Sequence, residues 1–252
     1  MLSRQQSLFL STVAIVGGVM AKPCETAWAD TSFSLYTGSS FTLNSDIHVQ
    51  QSSVGTDATF HDVSWDAKPF QNPPYYGIRL SHFFESAPSW GAMLDFTHYK
   101  IFAQTDQVVA VSGTFKGVPV NGSAPLNQRV QKFNITHGVN LLALNALYRW
   151  TVQTSEVFPQ GRLQPYVGGG LVYYILHPEN TVNNKNNNER YQGSGFGYQV
   201  LGGVYYGLTR RIGLFAETKF NSGEARVDTA DQGQAETPLR TFHLLAGISV
   251  GF

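Results

Sequence analysis

Thr241-Phe-His-Leu-Leu-Ala-Gly-Ile-Ser-Val-Gly-Phe252 is the stretch that decides the fold. Phe242, Leu244, Ala246, Ile248, Val250 and Phe252 fall on one side, and Thr241, His243, Leu245, Gly247, Ser249 and Gly251 on the other. Side chains of a strand alternate between its faces, so an unbroken period of two over this length reads as one long strand. Nothing in a soluble sheet of this sequence is available to cover so bulky an apolar face. Lipid would cover it, and tilted strands of about 9–11 residues are long enough to cross a bilayer.

The same alternation recurs upstream, near 33–42, 75–85, 89–102, 138–151, 162–175, 195–208 and 211–223. Asp95 opposes Leu94 and Phe96, Asn145 and Arg149 oppose Leu144 and Tyr148, and Glu217 and Lys219 oppose Leu214 and Phe220. Each strand can therefore show lipid an apolar face and keep its ionic groups inside. The links near 86–88, 152–161 and 209–210 are short to moderate, and those near 43–74, 103–137, 176–194 and 224–237 are long. Strict alternation of this kind matches short periplasmic turns and long extracellular loops. The expectation is an all-β chain: a closed antiparallel eight-stranded transmembrane β-barrel with both ends periplasmic and no free sheet edge. Trp90, Trp150 and Phe252 are expected in the lower aromatic girdle, and Tyr75, Tyr76, Tyr99 and Phe102 in the upper one. The tract from Asn183 to Asn188 reads as a polar loop tip. A lipocalin would need the polar face outside, and no repeat of propeller length is present.

Residues 1–29 are expected to be a cleaved signal peptide. Arg4 precedes an apolar run from Leu8 to Ala21, and Ala27-Trp28-Ala29 supplies the cleavage pattern. The barrel domain is then 30–252, exported to the periplasm and inserted in the outer membrane as a multi-pass barrel. A last strand ending on Phe252 resembles the signal read by the barrel-assembly machinery. Removing Arg4, Lys22 and Glu25 from 17 cations and 17 anions leaves a formal charge of −1. That balance gives no basic field for nucleic acid. The only cysteine, Cys24, leaves with the leader, so neither a disulfide framework nor a thiol nucleophile is expected. A monomer is expected.

Two groups of residues carry chemistry. Arg79, Asp95, Asn145, Arg149, Gln199, Glu217, Lys219 and His243 are the interior candidates, read chiefly as an ion-pair network that fills the barrel. His48, His61, His98, His137 and His177 lie in the outer links or at outer strand ends. Imidazole binds iron, copper or zinc and shuttles protons near neutral pH. Asp46, Asp62 and Glu224 are acids that could complete a site, but no compact metal motif is present. Ser81 or Ser112 with a histidine would make a hydrolase conceivable, although spacing singles out neither. There is no G-x-S-x-G, dinucleotide loop or P-loop.

Several stretches add a resemblance. They are Phe60-His-Asp-Val-Ser-Trp-Asp-Ala-Lys-Pro-Phe70, Pro73-Pro-Tyr-Tyr-Gly-Ile-Arg79, Trp90-Gly-Ala-Met-Leu-Asp-Phe-Thr-His-Tyr-Lys100, Thr136-His-Gly-Val-Asn-Leu-Leu-Ala-Leu-Asn-Ala-Leu-Tyr-Arg-Trp150 and Leu214-Phe-Ala-Glu-Thr-Lys-Phe220. Together they resemble the outer-membrane lipid A oxidase family of rhizobia and their relatives. The last stretch is generic to small barrels, and the first two are more specific. The resemblance implies oxygen-dependent conversion of the proximal glucosamine of lipid A to 2-aminogluconate, with release of peroxide. It implies lipid A or lipopolysaccharide as partner, molecular oxygen as co-substrate and a divalent metal of unspecified identity. Positions inside the matching stretches are the candidate catalytic residues: His61, Asp62, His98, His137 and Asn140, with His61, His98 and His137 as metal ligands. The other classes carried forward are a non-enzymatic surface barrel, structural or adhesive, and a barrel for passage of small solutes or lipid.

Overall fold

The structure, a computed structural model, describes residues 31–252; the expected leader, residues 1–29, lies outside the described residues. In chain order the strands are β1 (Thr31–Thr42), β2 (Ser45–Gln51), β3 (Thr56–Val63), β4 (Trp65–Asp66), β5 (Tyr76–Phe84), β6 (Ala87–Ala103), β7 (Val108–Phe115), β8 (Val118–Pro125), β9 (Val130–Arg149), β10 (Leu163–Val182), β11 (Lys185–Asn186), β12 (Gln192–Gly207), β13 (Ile212–Asp228) and β14 (Gln234–Gly251). Eight of them form a ring in the order β1-β5-β6-β9-β10-β12-β13-β14. Antiparallel pairing from Ser32↔Gly251 to Thr42↔Thr241 closes β14 onto β1. These are the eight strands expected from the alternation. Closure pairs the backbone of every ring strand on both sides, which hydrocarbon requires.

The decisive segment behaves as its pattern dictates. Phe242, Leu244, Ile248, Val250 and Phe252 are exposed on the outside, while Thr241, His243, Leu245 and Ser249 are buried inside. Phe33, Leu35, Ile78, Leu80, Leu94, Leu144, Val167, Leu171, Val200, Leu214 and their neighbours continue the apolar belt around the ring. Trp90 and Trp150 are exposed at the end that carries the short turns. At the upper end the expected girdle is only partly right. Tyr76 is exposed, but Tyr75 and Tyr99 point inward and are buried. Tyr99 shares the face of Asp95, so alternation commits it to the interior.

The larger departure concerns the outer links, which are strands and not loops. β9 begins at Val130 and β10 runs to Val182, well beyond the expected spans. β2 follows β1 outward and pairs with β14, β3 returns against β2, and β4 rejoins the ring on β6 through Trp65↔Ala103. The hairpin β7–β8 adds to β3. The asparagine tract is likewise folded: Asn183 and Asn184 turn the chain at positive φ, and Asn187 bonds back to Asn180 and Pro178. The result is a barrel that continues above the membrane as a collar.

The interior changes character along the axis. Its middle is ionic: Arg79 makes a two-pronged bond to Glu217 at 2.8 and 2.9 Å, and Lys219 reaches Asp95 at 2.8 Å. Tyr36 donates to Asp95, and Asn145, Gln199 and Asn221 form a neutral chain beside it. Gly77 is required here, because the Tyr36 ring occupies the place of a side chain on Gly77. Toward the periplasmic end, Arg149 bonds the Pro88 carbonyl and Gln164. Above the ionic layer the lumen is apolar. Tyr99, Ile101, Phe133, Ile135, Tyr174 and Leu176 pack with Ile47, Val49 and Phe60 of the collar into one buried cluster. Each such side chain contributes about 1.5–3 kcal/mol relative to leaving it in water.

Candidate functional site

The sequence-named site residues separate into two places. His98, Asn140 and His137 come together on the outer surface of β6 and β9, just above the apolar belt. His98 follows Phe96 on the outward face of β6 and stacks on Tyr76 with ring centroids 4.9 Å apart. It lies opposite Asn140. In β9, residues 136–138 form a bulge: Val139 pairs with Tyr99, and the next pair outward is Ile135 with Ile101. Bulges of this kind re-aim side chains. Gly138 sits in the bulge at φ 118°, and the His98 ring fills the space where a side chain on Gly138 would lie. The glycine therefore allows the histidine to lie flat against the wall.

Pro73, Tyr76, Phe96, Ile175 and Tyr191 line a lateral cleft of about 360 Å³ together with His98, His137 and Asn140. His98 Nδ1 lies 2.8 Å from Asn140 Oδ1. The Asn140 amide is oriented by donating Nδ2 to the carbonyls of Gly138 and Ile175, which leaves Oδ1 as acceptor. Nδ1 must then carry the proton, and Nε2 holds a lone pair in the neutral ring. His98 is 3% exposed, and its Nε2 has no hydrogen-bond partner. A buried imidazole nitrogen left bare in this way is costly, and such groups call for an account.

The cleft's outer rim was only partly foreseen. His137 Nδ1 meets Glu179 Oε1 at 3.1 Å, and Glu179 also accepts from Lys132 and Thr136. His177 packs its ring between those of His137 and Tyr191, each 4.7 Å away. Glu179, Lys132 and Tyr191 carried no signal in sequence, because only the extension of β9 and β10 places them here.

His61 and Asp62 do not join this group. His61 lies four residues above Trp65 on the descending strand, and His98 lies five below Ala103, the partner of Trp65. Nine residue steps at about 3.3 Å each set a ceiling of roughly 30 Å on their separation along the sheet. His61 instead bonds Asp46 and Ser112. Of the three histidines expected to share a metal, the structure brings His98 and His137 to one cleft and sets His61 beside Asp46 and Ser112. Among the described residues, no three His, Cys, Asp or Glu side chains are placed to hold a metal ion. Glu224 pairs with Arg226, and His48 meets Thr59 and Asp57.

A ring of eight antiparallel strands wrapped in an apolar belt, with ionic groups sealed inside, is decisive for class and place. The protein is a small outer-membrane β-barrel. No family model matches the sequence, and no curated protein matches it. Solved structures do resemble it. The outer membrane protein OprG from Pseudomonas aeruginosa is 13% identical with a TM-score of 0.51, over 89% of this chain and 97% of that one. Neisserial surface protein A is 16% identical with a TM-score of 0.42, over 89% and 98%. A major outer membrane protein from Thermus thermophilus is 11% identical with a TM-score of 0.41, over 88% and 99%. At 13% identity the likeness to OprG carries the fold of the barrel and not an activity.

Proposed function

We propose that this barrel modifies lipid A, taking its sugar headgroup sideways from the outer leaflet into the cleft. One observation carries the reading. His98 Nε2 is an unpartnered basic nitrogen buried in the wall of the cleft, directly above the lipid belt where headgroup sugars lie. Tyr76, Phe96 and Tyr191 offer flat apolar faces for a sugar ring, and Asn140 and His137 offer hydrogen bonds. Small-molecule sites have this mixture of apolar walls and a few placed polar groups. Nε2 is closed off here, so the Tyr76 ring stacked on His98 must shift before a sugar hydroxyl can give its proton to Nε2, as general base catalysis requires.

The resemblance in sequence adds the specific reaction, oxidation of the proximal glucosamine with oxygen as oxidant and peroxide as product. The residues present do not fit a metal held by His61, His98 and His137, and no step is assigned to one. A surface-binding barrel shares the fold but leaves the bare nitrogen without a purpose. Passage through the lumen is opposed by its ionic middle and its packed apolar upper part.

Photo-crosslinking in living cells tests the location of the lipid. A crosslinking residue in place of Tyr191 should capture lipopolysaccharide, and one in place of Val108 on the collar should not. Absence of lipid adducts at 191 in a correctly inserted barrel would remove the lateral cleft from the account.

A further inference from the structure

The collar carries a second arrangement that the lipid cleft does not use. Asp46 on β2, His61 on β3 and Ser112 on β7 form a line across three adjacent strands. Asp46 Oδ2 lies 2.9 Å from His61 Nδ1, and His61 Nε2 lies 2.8 Å from Ser112 Oγ. We propose that Ser112, His61 and Asp46 are the nucleophile, base and orienting acid of an ester hydrolase on the extracellular collar.

The placement is specific. Interior positions of these strands, Ile47, Val49, Ala58, Phe60, Val109 and Val111, are buried in the apolar cluster. Alternation then forces Asp46, His61 and Ser112 onto the opposite, solvent-facing surface. β2 slips register between Ser45 and Ile47, and Asp62 stands at φ 55°. That left-handed turn at a non-glycine residue aims the Asp62 N–H at Asp46 Oδ1, 2.9 Å away. Strained backbone of this sort is found at functional sites more than elsewhere. Partial burial pushes the Asp46 pKa up, but the bonds from the Asp62 N–H and from His61 outweigh it, and the net direction is down. Asp46 thus stays a carboxylate, which fixes the His61 proton on Nδ1 and leaves Nε2 to receive the Ser112 proton.

The chemistry closes without any added oxidant or metal. Ser112 Oγ attacks the ester carbonyl carbon and passes its proton to His61 Nε2. The carbon–oxygen bond to the alcohol breaks, and His61 returns the proton to the departing alkoxide. Water then attacks the acyl carbon and gives a proton to His61; the bond from that carbon to Ser112 Oγ breaks, His61 returns the proton to Oγ, and the carboxylic acid leaves. Asn121 stands directly across from Ser112 on β8, so its side chain shares the face and is the donor for the oxyanion.

The surroundings select the substrate class. The near neighbours on this face, Thr59, Ala110, Thr114 and Asn121, are small or polar and form no channel for a fatty chain. The site also stands well above the lipid belt. A short acyl ester on a water-soluble or cell-surface polysaccharide fits, and a phospholipid ester does not.

The test uses the full barrel, folded in detergent. It should hydrolyse p-nitrophenyl acetate much faster than p-nitrophenyl palmitate, and a fluorophosphonate probe should label Ser112. Ser112→Ala and His61→Ala should each lose at least a hundredfold in kcat, Asn121→Ala should lower kcat with little change in KM, and Val118→Ala on the exposed collar should hydrolyse normally. All four variants should keep the heat-modifiable gel mobility of a folded barrel, because these side chains face outward. Folded wild type that neither takes the probe at Ser112 nor exceeds Ser112→Ala in hydrolysis would overturn the proposal. Faster cleavage of palmitate than acetate would overturn the substrate class.

Discussion

Replacing Glu217 by alanine should destabilise the barrel by about 3–5 kcal/mol, the range for leaving a buried charge without its partner. Glu217 accepts both prongs of Arg79 and the Tyr166 hydroxyl at 2.7 Å. With it, the middle of the lumen holds two cations, Arg79 and Lys219, and two anions, Asp95 and Glu217, all shielded from water. Without it, one positive charge is left over in a low-dielectric interior. Glu217→Gln keeps the shape and should lose less. Arg79→Ala combined with Glu217→Ala should cost less than the sum of the two single changes, because the double variant restores neutrality. Urea unfolding of the barrel in phospholipid bilayers measures all four. A Glu217→Ala barrel as stable as the wild type would mean that these charges are solvated and the lumen is open.

Phe133→Ala should cost about 3–5 kcal/mol as well, but elsewhere in the molecule and for another reason. Phe133 is fully buried in the apolar upper lumen and meets the Trp65 ring edge-on at 5.9 Å. Removing it opens a cavity where the collar joins the barrel. Trp90 and Trp150 lie at the opposite end on the lipid face, so Trp65 alone among the described tryptophans reports on the junction. The expected result is that the Trp65 emission moves to the red at lower urea than the loss of barrel structure. If one cooperative transition persists at wild-type urea, the collar and barrel do not depend on this packing.

How much of this was readable in the sequence follows from where period two is unambiguous. The eight membrane strands stand out because lipid demands apolar residues at every second position, and Phe242 to Phe252 meet that demand without interruption. The interior ions were legible for the same reason, since Asp95, Glu217 and Lys219 sit opposite apolar neighbours. The collar was not. In water a strand may be polar on one side and broken by glycine, so Ile47, Val49, Ala58, Phe60, Val109 and Val111 showed only short alternating runs. That lapse hid the site geometry. His61 and His98 look equivalent as outer histidines, and only the register of β4 on β6 shows how far apart they are. Ser112 was one of two serines named as conceivable nucleophiles, and only the pairing of β7 with β3 sets it beside His61. Alternation with Phe96 puts His98 on the outward face, but its bare nitrogen depends on the bulge at 136–138 and on Gly138.

The most direct test of the central claim is the mass spectrum of lipid A from a Gram-negative host expressing the protein. With aeration, the wild type should yield lipid A that has gained one oxygen on the proximal sugar. His98→Ala should insert at normal levels and lose that product, while Ser112→Ala should retain it. Lipid A unchanged by a well-inserted wild-type barrel, or a product that survives in His98→Ala, would contradict the account.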